Sequence, residues 1–516
     1  MKRRTFLKAG LVASSAAANC VRTDREAPKG TLRVGAGSDR YNTAPGRFTL
    51  TTSRPNAHVG EPPARPNNRF EARPWLFESW THEGEGAYVA HLRPGVLFHD
   101  GTAFTADTFI TSARQFIATR DFIGLDPASL RRVDDGSVRF RSKTGSALMV
   151  DNMTHPSACL FLPRDQAGRK PIGTGPYRMV RYEPQRVLEV ERFDGYWGGQ
   201  SKQPRVMYRF LADPQTRLLA LRASEVDIVS DVVPEMLLSI EKNDPGVTVL
   251  RSRPIRYAAL FCNLHGAPPF HTLRDLRVRR ALALAIDREA LARVMYMGQA
   301  VPARGVLPGW MFNLGDEFPR GFGMDTAQAT RLLDDAGWTR GADGMRARDG
   351  QRLRLRMVSA FPNASSVKPM PEMLAQMFST IGVATEIVEV EDEQVYYSAY
   401  ADRGQADLFL ELAGNANADP TFLLYNAFHT ATPWPSYRFH APGAEVDARL
   451  DAARHGTVRE EIVAHVREAH RLIVDKHVAV VPLLSVPAFV LTRPGVAINM
   501  FENVDWIDFG DATIGA

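Results

Sequence analysis

The residues best equipped for chemistry in this chain sit on segments that follow candidate strands. Ser38-Asp39-Arg40-Tyr41 follows the alternating stretch 30–35, Phe361, Ser365 and Ser366 follow 353–358, and Tyr396 and Tyr397 lie just past 383–390. The segment Leu412-Ala413-Gly414-Asn415-Ala416-Asn417-Ala418-Asp419-Pro420 follows an apolar run at 406–410. Carboxamides such as those of Asn415 and Asn417 donate and accept hydrogen bonds, hydroxyls do the same, and Asp39, Arg40 and Asp419 add charge. Groups of this kind recognise a small polar solute. Asp419 has a second use, capping a helix that opens at Thr421-Phe422.

The motifs of bond-making chemistry do not occur. There is no Gly-x-Ser-x-Gly elbow, no His-Glu-x-x-His and no Cys-x-x-Cys. Gly35-Ala36-Gly37 and Gly173-Thr174-Gly175 lack a third glycine, and Pro176 blocks the helix start that a dinucleotide would need. Of the 13 histidines, His265, His271, His429 and His440 lie near predicted loops, none at metal-ligand spacing with a carboxylate or thiol. The expectation is binding without catalysis, cofactor or resident metal.

These segments need a scaffold, and the patterning predicts one of mixed α/β type. Strands are expected at 30–35, 87–93, 96–99, 185–191, 353–358, 383–390 and 478–484, where apolar residues alternate or run together. Helices are expected at 108–118 behind Thr105-Ala106-Asp107, from Asp213-Pro214 to about 223, at 278–297 with a break at Asp287-Arg288-Glu289, at 327–336, at 370–381 before Gly382, and at 458–474. Between about 44 and 72 the prolines Pro45, Pro55, Pro62, Pro63 and Pro66 interrupt regular structure. A chain of 516 residues exceeds one compact core, and strand–helix–strand units in both halves point to two sheet-containing lobes.

Lys2, Arg3, Arg4 and Lys8 precede a short apolar run at 9–18 and the small residues Ala16-Ala17-Ala18. This order describes an export signal, and the paired arginines before Phe6-Leu7-Lys8 resemble a twin-arginine signal. Cleavage after Ala18 gives a soluble periplasmic product; cleavage before Cys20 gives a lipid-tethered one, with Asn19 departing from the usual lipobox residue. Removing the four signal charges from 63 basic residues leaves 59 against 58 acidic ones, so no field attracts nucleic acid or an acidic membrane. The basic run 274–280 reads as the solvated face of a helix. Cys159 and Cys262 could pair, but their apolar flanks read as core positions for free thiols.

One stretch is specific. Leu92-Arg93-Pro94-Gly95-Val96-Leu97-Phe98-His99-Asp100-Gly101-Thr102 resembles the signature of the family 5 extracellular solute-binding proteins, the peptide and nickel-chelate receptors of ABC importers. Gly173-Thr174-Gly175-Pro176-Tyr177, Phe193-Asp194-Gly195-Tyr196-Trp197, Arg277-Val278-Arg279-Arg280-Ala281-Leu282, Leu332-Leu333-Asp334-Asp335-Ala336-Gly337-Trp338 and Ala418-Asp419-Pro420-Thr421-Phe422-Leu423 follow in the family's order, so the likeness spans most of 73–495. It implies a two-lobed type II periplasmic-binding-protein fold with an additional inserted domain. Lobe I would comprise 28–55, 170–262 and 480–516, the inserted domain 56–169, and lobe II 263–479, after a signal at 1–19. The implied partners are a peptide or other small solute and the permease subunits, with the protein itself a monomer and the membrane reached only through a lipid anchor at Cys20. In the family's peptide receptors an aspartate in the loop matching 412–420 pairs with the ligand's ammonium. Here that place falls near Asn415 to Asn417, and Leu412 replaces the usual aromatic, so the solute need not be an ordinary peptide. Some members hold nickel through a small chelator and one histidine, for which His429 is the candidate.

Overall fold

A computed structural model describes residues 30–37, 58–118, 123–163, 170–315, 318, 321–359, 369–390, 393–415, 417–499 and 512–515. The local signals hold where the chain carries its own caps. Thr105 caps the helix Ala106–Phe116, Asp213 caps Pro214–Arg222, and Asp287 splits the long pattern into Leu276–Ala285 and Arg288–Tyr296 by capping the latter. Gly382, at φ +81°, ends the turn after Met370–Thr380.

The first sheet has seven strands in the order Thr248–Arg251, Phe489–Thr492, Ile228–Val229, Thr31–Ala36, Arg205–Phe210, Val187–Arg192 and Tyr177–Glu183. The second has six, in the order Val301–Pro302, Val480–Val486, Arg256–Cys262, Leu408–Gly414, Arg354–Ser359 and Ala384–Glu389. Apolar clusters cover both faces of the second sheet: Leu408 and Leu410 pack one way with the helices at 276–296 and 370–380, Phe409 the other way with those at 422–471. The period-2 alternation of a strand makes this division, and each large apolar side chain so buried contributes about 1.5–3 kcal/mol. A third sheet, of Phe77–Gly84, Ala87–Leu92, Ser137–Arg141 and Arg131–Asp134, carries the inserted domain with the helix Ala106–Phe116.

Sheet membership moves the lobe boundaries inferred from the resemblance. Arg256–Cys262 and Val480–Val486 pair with each other inside the second sheet, so the crossings lie at 252–255 and 487–488, not at 262/263 and 479/480. The two crossing segments are bonded together: Ser252 N–H donates to the Ala488 carbonyl at 3.0 Å, and Ala488 N–H to Ser252 Oγ at 2.9 Å. Such a paired crossing gives a hinge with few torsions to turn.

Two further expectations change. The stretch 96–99 is no full strand: Leu97 makes an isolated antiparallel bridge with Ala103, with Phe98 N–H on the Thr102 carbonyl, Phe104 N–H on the Val96 carbonyl and the turn at 99–101 held by Thr102 N–H on Asp100; its alternation buries Val96 and Phe98. Arg279 is not on a solvated face. It is 5% exposed, and its guanidinium donates to the carbonyls of His477, Leu273 and Arg274. Cys159 and Cys262 are free and buried in different clusters, and burial pushes the Cys262 thiol up to about 12.

Asp407, at the start of Leu408–Gly414, gives the fold a measurable pH dependence. It is 2% exposed, and burial raises its carboxyl from 3.8 to about 7, against the lowering effect of the Arg356 N–H and guanidinium and with reinforcement from Glu386. The native state therefore keeps a proton that the unfolded chain has lost, and stability falls as pH rises from about 4 to 7. Asp407→Asn keeps the acceptor for Arg356 N–H and removes that proton. Denaturant unfolding at pH 5 and pH 8 should show the difference between the two conditions shrinking by about 2–3 kcal/mol in the variant.

Candidate functional site

In the second sheet Arg354–Ser359 runs parallel to both neighbours, Ala384–Glu389 on one side and Leu408–Gly414 on the other. Arg354–Ser359 is thus a topological switch point, and open α/β sheets bind ligands at the carboxyl ends of strands at such points. The first sheet repeats the arrangement, with Thr31–Ala36 parallel to both Arg205–Phe210 and Ile228–Val229. Gly37, just past that strand, donates to Asp231 Oδ2 at 3.0 Å, and Asp231 is held from behind by Arg217 on its carbonyl. Ser38, Asp39, Arg40 and Tyr41 follow Gly37 in the sequence and Phe361, Ser365 and Ser366 follow Ser359; all seven lie outside the described residues.

The expected loop 412–420 begins as strand, since Leu408–Gly414 pairs through Gly414, and beyond it 417–419 meet the inserted domain. Asn415 donates to the Asn417 carbonyl at 2.7 Å and accepts from Leu423 N–H at 3.3 Å. Asn417 donates to Asn152 Oδ1 at 2.8 Å, and Asn152 in turn donates to Asp419 Oδ2 at 2.8 Å. Asp419 Oδ1 accepts from Thr421 N–H and Oγ1, both at 2.7 Å, and Thr154 Oγ1 accepts from Ala418 N–H at 2.8 Å. Asn152 and Thr154 belong to the inserted domain, where the helix Met149–Asn152 presents them, and Arg459 adds an ion pair to Asp151 at 3.0 Å. Of the groups expected to face a solute, those of Asn417 and Asp419 thus bond the inserted domain, while Asn415 braces its own segment. Burial raises the carboxyls of Asp419 and Asp151, the latter to about 6 with Arg459 opposing the shift.

Glu411, on the strand before this loop, is a residue that sequence reading missed, because it sits in an apolar run. It is 8% exposed. The Tyr396 hydroxyl donates to its Oε1 at 2.7 Å and the Tyr437 hydroxyl to its Oε2 at 2.6 Å. Ala259 is its cross-strand partner and Tyr257 lies one diagonal step away on the same face. Tyr397 packs edge-on against Tyr396 at 5.1 Å, and Trp434 lies 5.7 Å from Tyr437. Of the tyrosines expected near the site, Tyr396 therefore bonds the Glu411 carboxylate and Tyr397 packs against Tyr396.

The signature motifs have structural work. His99 Nδ1 accepts from Gly173 N–H, so its Nε2 carries the proton donated to the Gly175 carbonyl at 2.9 Å; burial holds this neutral imidazole at about 4. A Cβ on Gly173 or Gly175 would run into the carbonyls of Val59 and His58. Thr174, Tyr196 and Trp197 all donate to Glu61, together with Trp75, at 2.7–3.0 Å. His429 accepts from Ala431 N–H, stacks on Tyr425 and faces Asp451 at 3.3 Å, away from the crevice aromatics. No group of three or more His, Cys, Asp or Glu side chains among the described residues is arranged to hold a metal ion. A cavity of 670 Å³ on the outer helical face of lobe II is lined by Thr330, Asp334 and Arg346, the guanidinium donating to the Asp334 carboxylate and to the carbonyls of Thr330, Trp338 and Ile381.

Residues 71–434 match the model of the bacterial extracellular solute-binding proteins, family 5. The chain belongs to this family. It is 28% identical over 408 residues to the glutathione-binding protein GsiB of Pectobacterium atrosepticum, covering 75% of each chain. The structure of NikA from Brucella suis in complex with Fe(III)-EDTA superposes with a TM-score of 0.79 at 23% identity, covering 94% of this chain and 99% of that one. DppA from Helicobacter pylori in complex with the peptide STSA gives 0.74 at 20% identity, covering 94% and 98%. The architecture is thus the two-lobed one shared by these solute-binding proteins, and no helix among the described residues is long and apolar enough to cross a membrane.

Proposed function

We propose that this member of family 5 is the extracytoplasmic capture component of an ABC importer, closing its two lobes over a peptide-like solute and handing it to the permease. The observation that carries the reading is the pair of topological switch points at the carboxyl ends of two hinged sheets, one bordered by Glu411 and tyrosines. Relatives named for glutathione and for dipeptides support a peptide-like solute over a sugar. The N-terminal pattern supports export by the twin-arginine route, ending at Ala18 or at a lipidated Cys20; the intact mass of protein recovered from the producing cell separates the two.

A solute that binds only the folded form raises its melting temperature. At a hundredfold excess over Kd it adds about 2.7 kcal/mol. Thermal-shift measurements on the mature protein should respond to di- or tripeptides and not to sugars, opines or nickel–histidine. A response confined to one of the latter would overturn the peptide reading and leave family membership untouched.

A further inference from the structure

We infer that Phe70 of the inserted domain and its aromatic socket in lobe II, Trp310 and Phe312, form a detent for the hinge: parting the lobes draws Phe70 out of the socket, and backbone strain at the socket keeps that step shallow. The detent belongs to the hinged capture proposed above, and it sets the balance between joined and parted lobes before any solute arrives.

The knob is a turn closed on itself. Phe70 N–H donates to the Asn67 carbonyl at 2.9 Å, Asn67 N–H to the Glu71 carbonyl at 2.8 Å, and Asn67 Oδ1 accepts from the N–H groups of Arg69 and Glu71. Phe70 has no exposed surface, yet its ring lies in the lobe II core cluster and not in that of its own domain. It meets Trp310 edge-on at 5.8 Å and Phe312 at 6.1 Å. Two bonds fix the seat beside the ring: Phe312 N–H donates to the Arg69 carbonyl at 2.8 Å, and Asn313 Nδ2 to Glu71 Oε1 at 2.9 Å.

Packing decides which junction opens. Val59, Phe116, Cys159 and Phe161 of the inserted domain are built into the lobe I core, and Phe161 pairs with Gly173. On the other side, among the described residues, Phe70 and Leu148 alone enter the lobe II core. Apolar burial holds the first junction more strongly, so the inserted domain travels with lobe I and the lobe II contact parts.

The backbone shows why this contact can part. Phe70, Phe312 and Asn313 have φ of +60°, +54° and +58°. Left-handed backbone is unfavourable for a residue with a Cβ and rare for a bulky one, yet three such residues face one another across a single contact. The contact over-determines them, and their strain offsets part of what the buried ring contributes. The socket also touches the hinge itself: the Arg253 guanidinium, in the 252–255 crossing, lies 5.3 Å from the centroid of the Trp310 ring. A turn of that crossing and a withdrawal of Phe70 act on the same indole.

Small-angle scattering and hydrogen exchange on the empty mature protein test the detent without any solute. The variants are Phe70→Ala, Asn313→Gly and a control, Phe378→Ala, in the lobe II core on the opposite face of the sheet. Phe70→Ala should enlarge the radius of gyration and speed exchange of the Phe312 amide about tenfold or more. Asn313→Gly places at φ +58° a residue at ease there, and should slow that exchange about threefold. Phe378→Ala should lower the melting temperature and move neither readout. Phe70→Leu, a milder change, should shift both readouts in the same direction as Phe70→Ala and carries the test if Phe70→Ala is not recovered folded. A lower melting temperature in the Phe70 variants with wild-type scattering and exchange, or equal shifts in Phe378→Ala, overturns the detent and leaves solute capture untouched. Faster exchange in Asn313→Gly overturns the strain.

Discussion

Replacing Glu61 by alanine should lower the free energy of unfolding by about 3–5 kcal/mol, measured by denaturant titration of the mature protein. The carboxylate has no exposed surface and gathers donors from both sides of one junction: Trp75 Nε1 at 2.7 Å from the inserted domain, and Tyr196 at 2.8 Å, Thr174 at 2.9 Å and Trp197 Nε1 at 3.0 Å from lobe I. Arg65 supplies a charge 3.9 Å away. Burial raises the Glu61 pKa, with Arg65 the largest opposing influence, followed by the donors from Trp197, Tyr196 and Thr174. Truncation leaves two indole N–H groups and two hydroxyls facing a void, and each buried donor deprived of its acceptor costs about 1–3 kcal/mol. Glu61→Gln keeps the volume and one acceptor oxygen and should cost less than half as much. A loss in Glu61→Ala below about 1 kcal/mol would mean that water replaces the carboxylate and that the junction is held by apolar contact alone.

Asn152→Ala should cost about 2–4 kcal/mol at the other side of the inserted domain, because it strips partners from both Asn417 and Asp419 in a buried network. Its readout differs from that of Glu61. Hydrogen exchange should accelerate in 146–154 and 415–423 and remain slow at the Glu61 junction, since the two contacts share no residue. The lobe II contact also has an apolar component, Phe70 and Leu148 packed into its core, and two backbone bonds, Ala147 N–H to the Arg454 carbonyl and Phe312 N–H to the Arg69 carbonyl. The inserted domain therefore straps lobe I to lobe II, and a weaker strap should release a bound solute faster. Each 1.4 kcal/mol lost from the closed state is about tenfold in the closing equilibrium. The strap also has a pH dependence of definite sign. Asp151, raised to about 6 by burial with Arg459 opposing and Asp419 reinforcing, holds a proton in the docked state that the parted surfaces release. Docking therefore strengthens as pH falls from about 6 toward 4. Solute dissociation should slow as pH falls across that range in the wild type and slow less in Asp151→Asn, where Asp419, also raised by burial, still titrates.

The sequence by itself determined what depends on near neighbours. Thr105, Asp213 and Asp287 announce helix starts because a cap bonds an N–H two or three residues on, and Gly382 announces a stop because its positive φ suits glycine. The order of motifs was enough to identify the family, and with it the two lobes and the inserted domain. What the signature pieces are for could not be read locally. Thr174, Tyr196 and Trp197 gain meaning only from Glu61, a lone acid in a proline-rich stretch more than a hundred positions away. Asn415, Asn417 and Asp419 have the composition of a ligand loop, yet Asn152 and Thr154, some 265 positions earlier, claim the loop for docking. Arg279 looks solvated in a basic run until the carbonyls of Leu273 and His477 close around it. Glu411 is the sharpest instance: flanked by leucines on a buried strand, it carries no sequence signal, and only the fold brings the hydroxyls of Tyr396 and Tyr437 to its carboxylate. A carboxylate becomes tolerable inside a protein through partners that the fold brings from afar, and those partners were decided by tertiary structure alone.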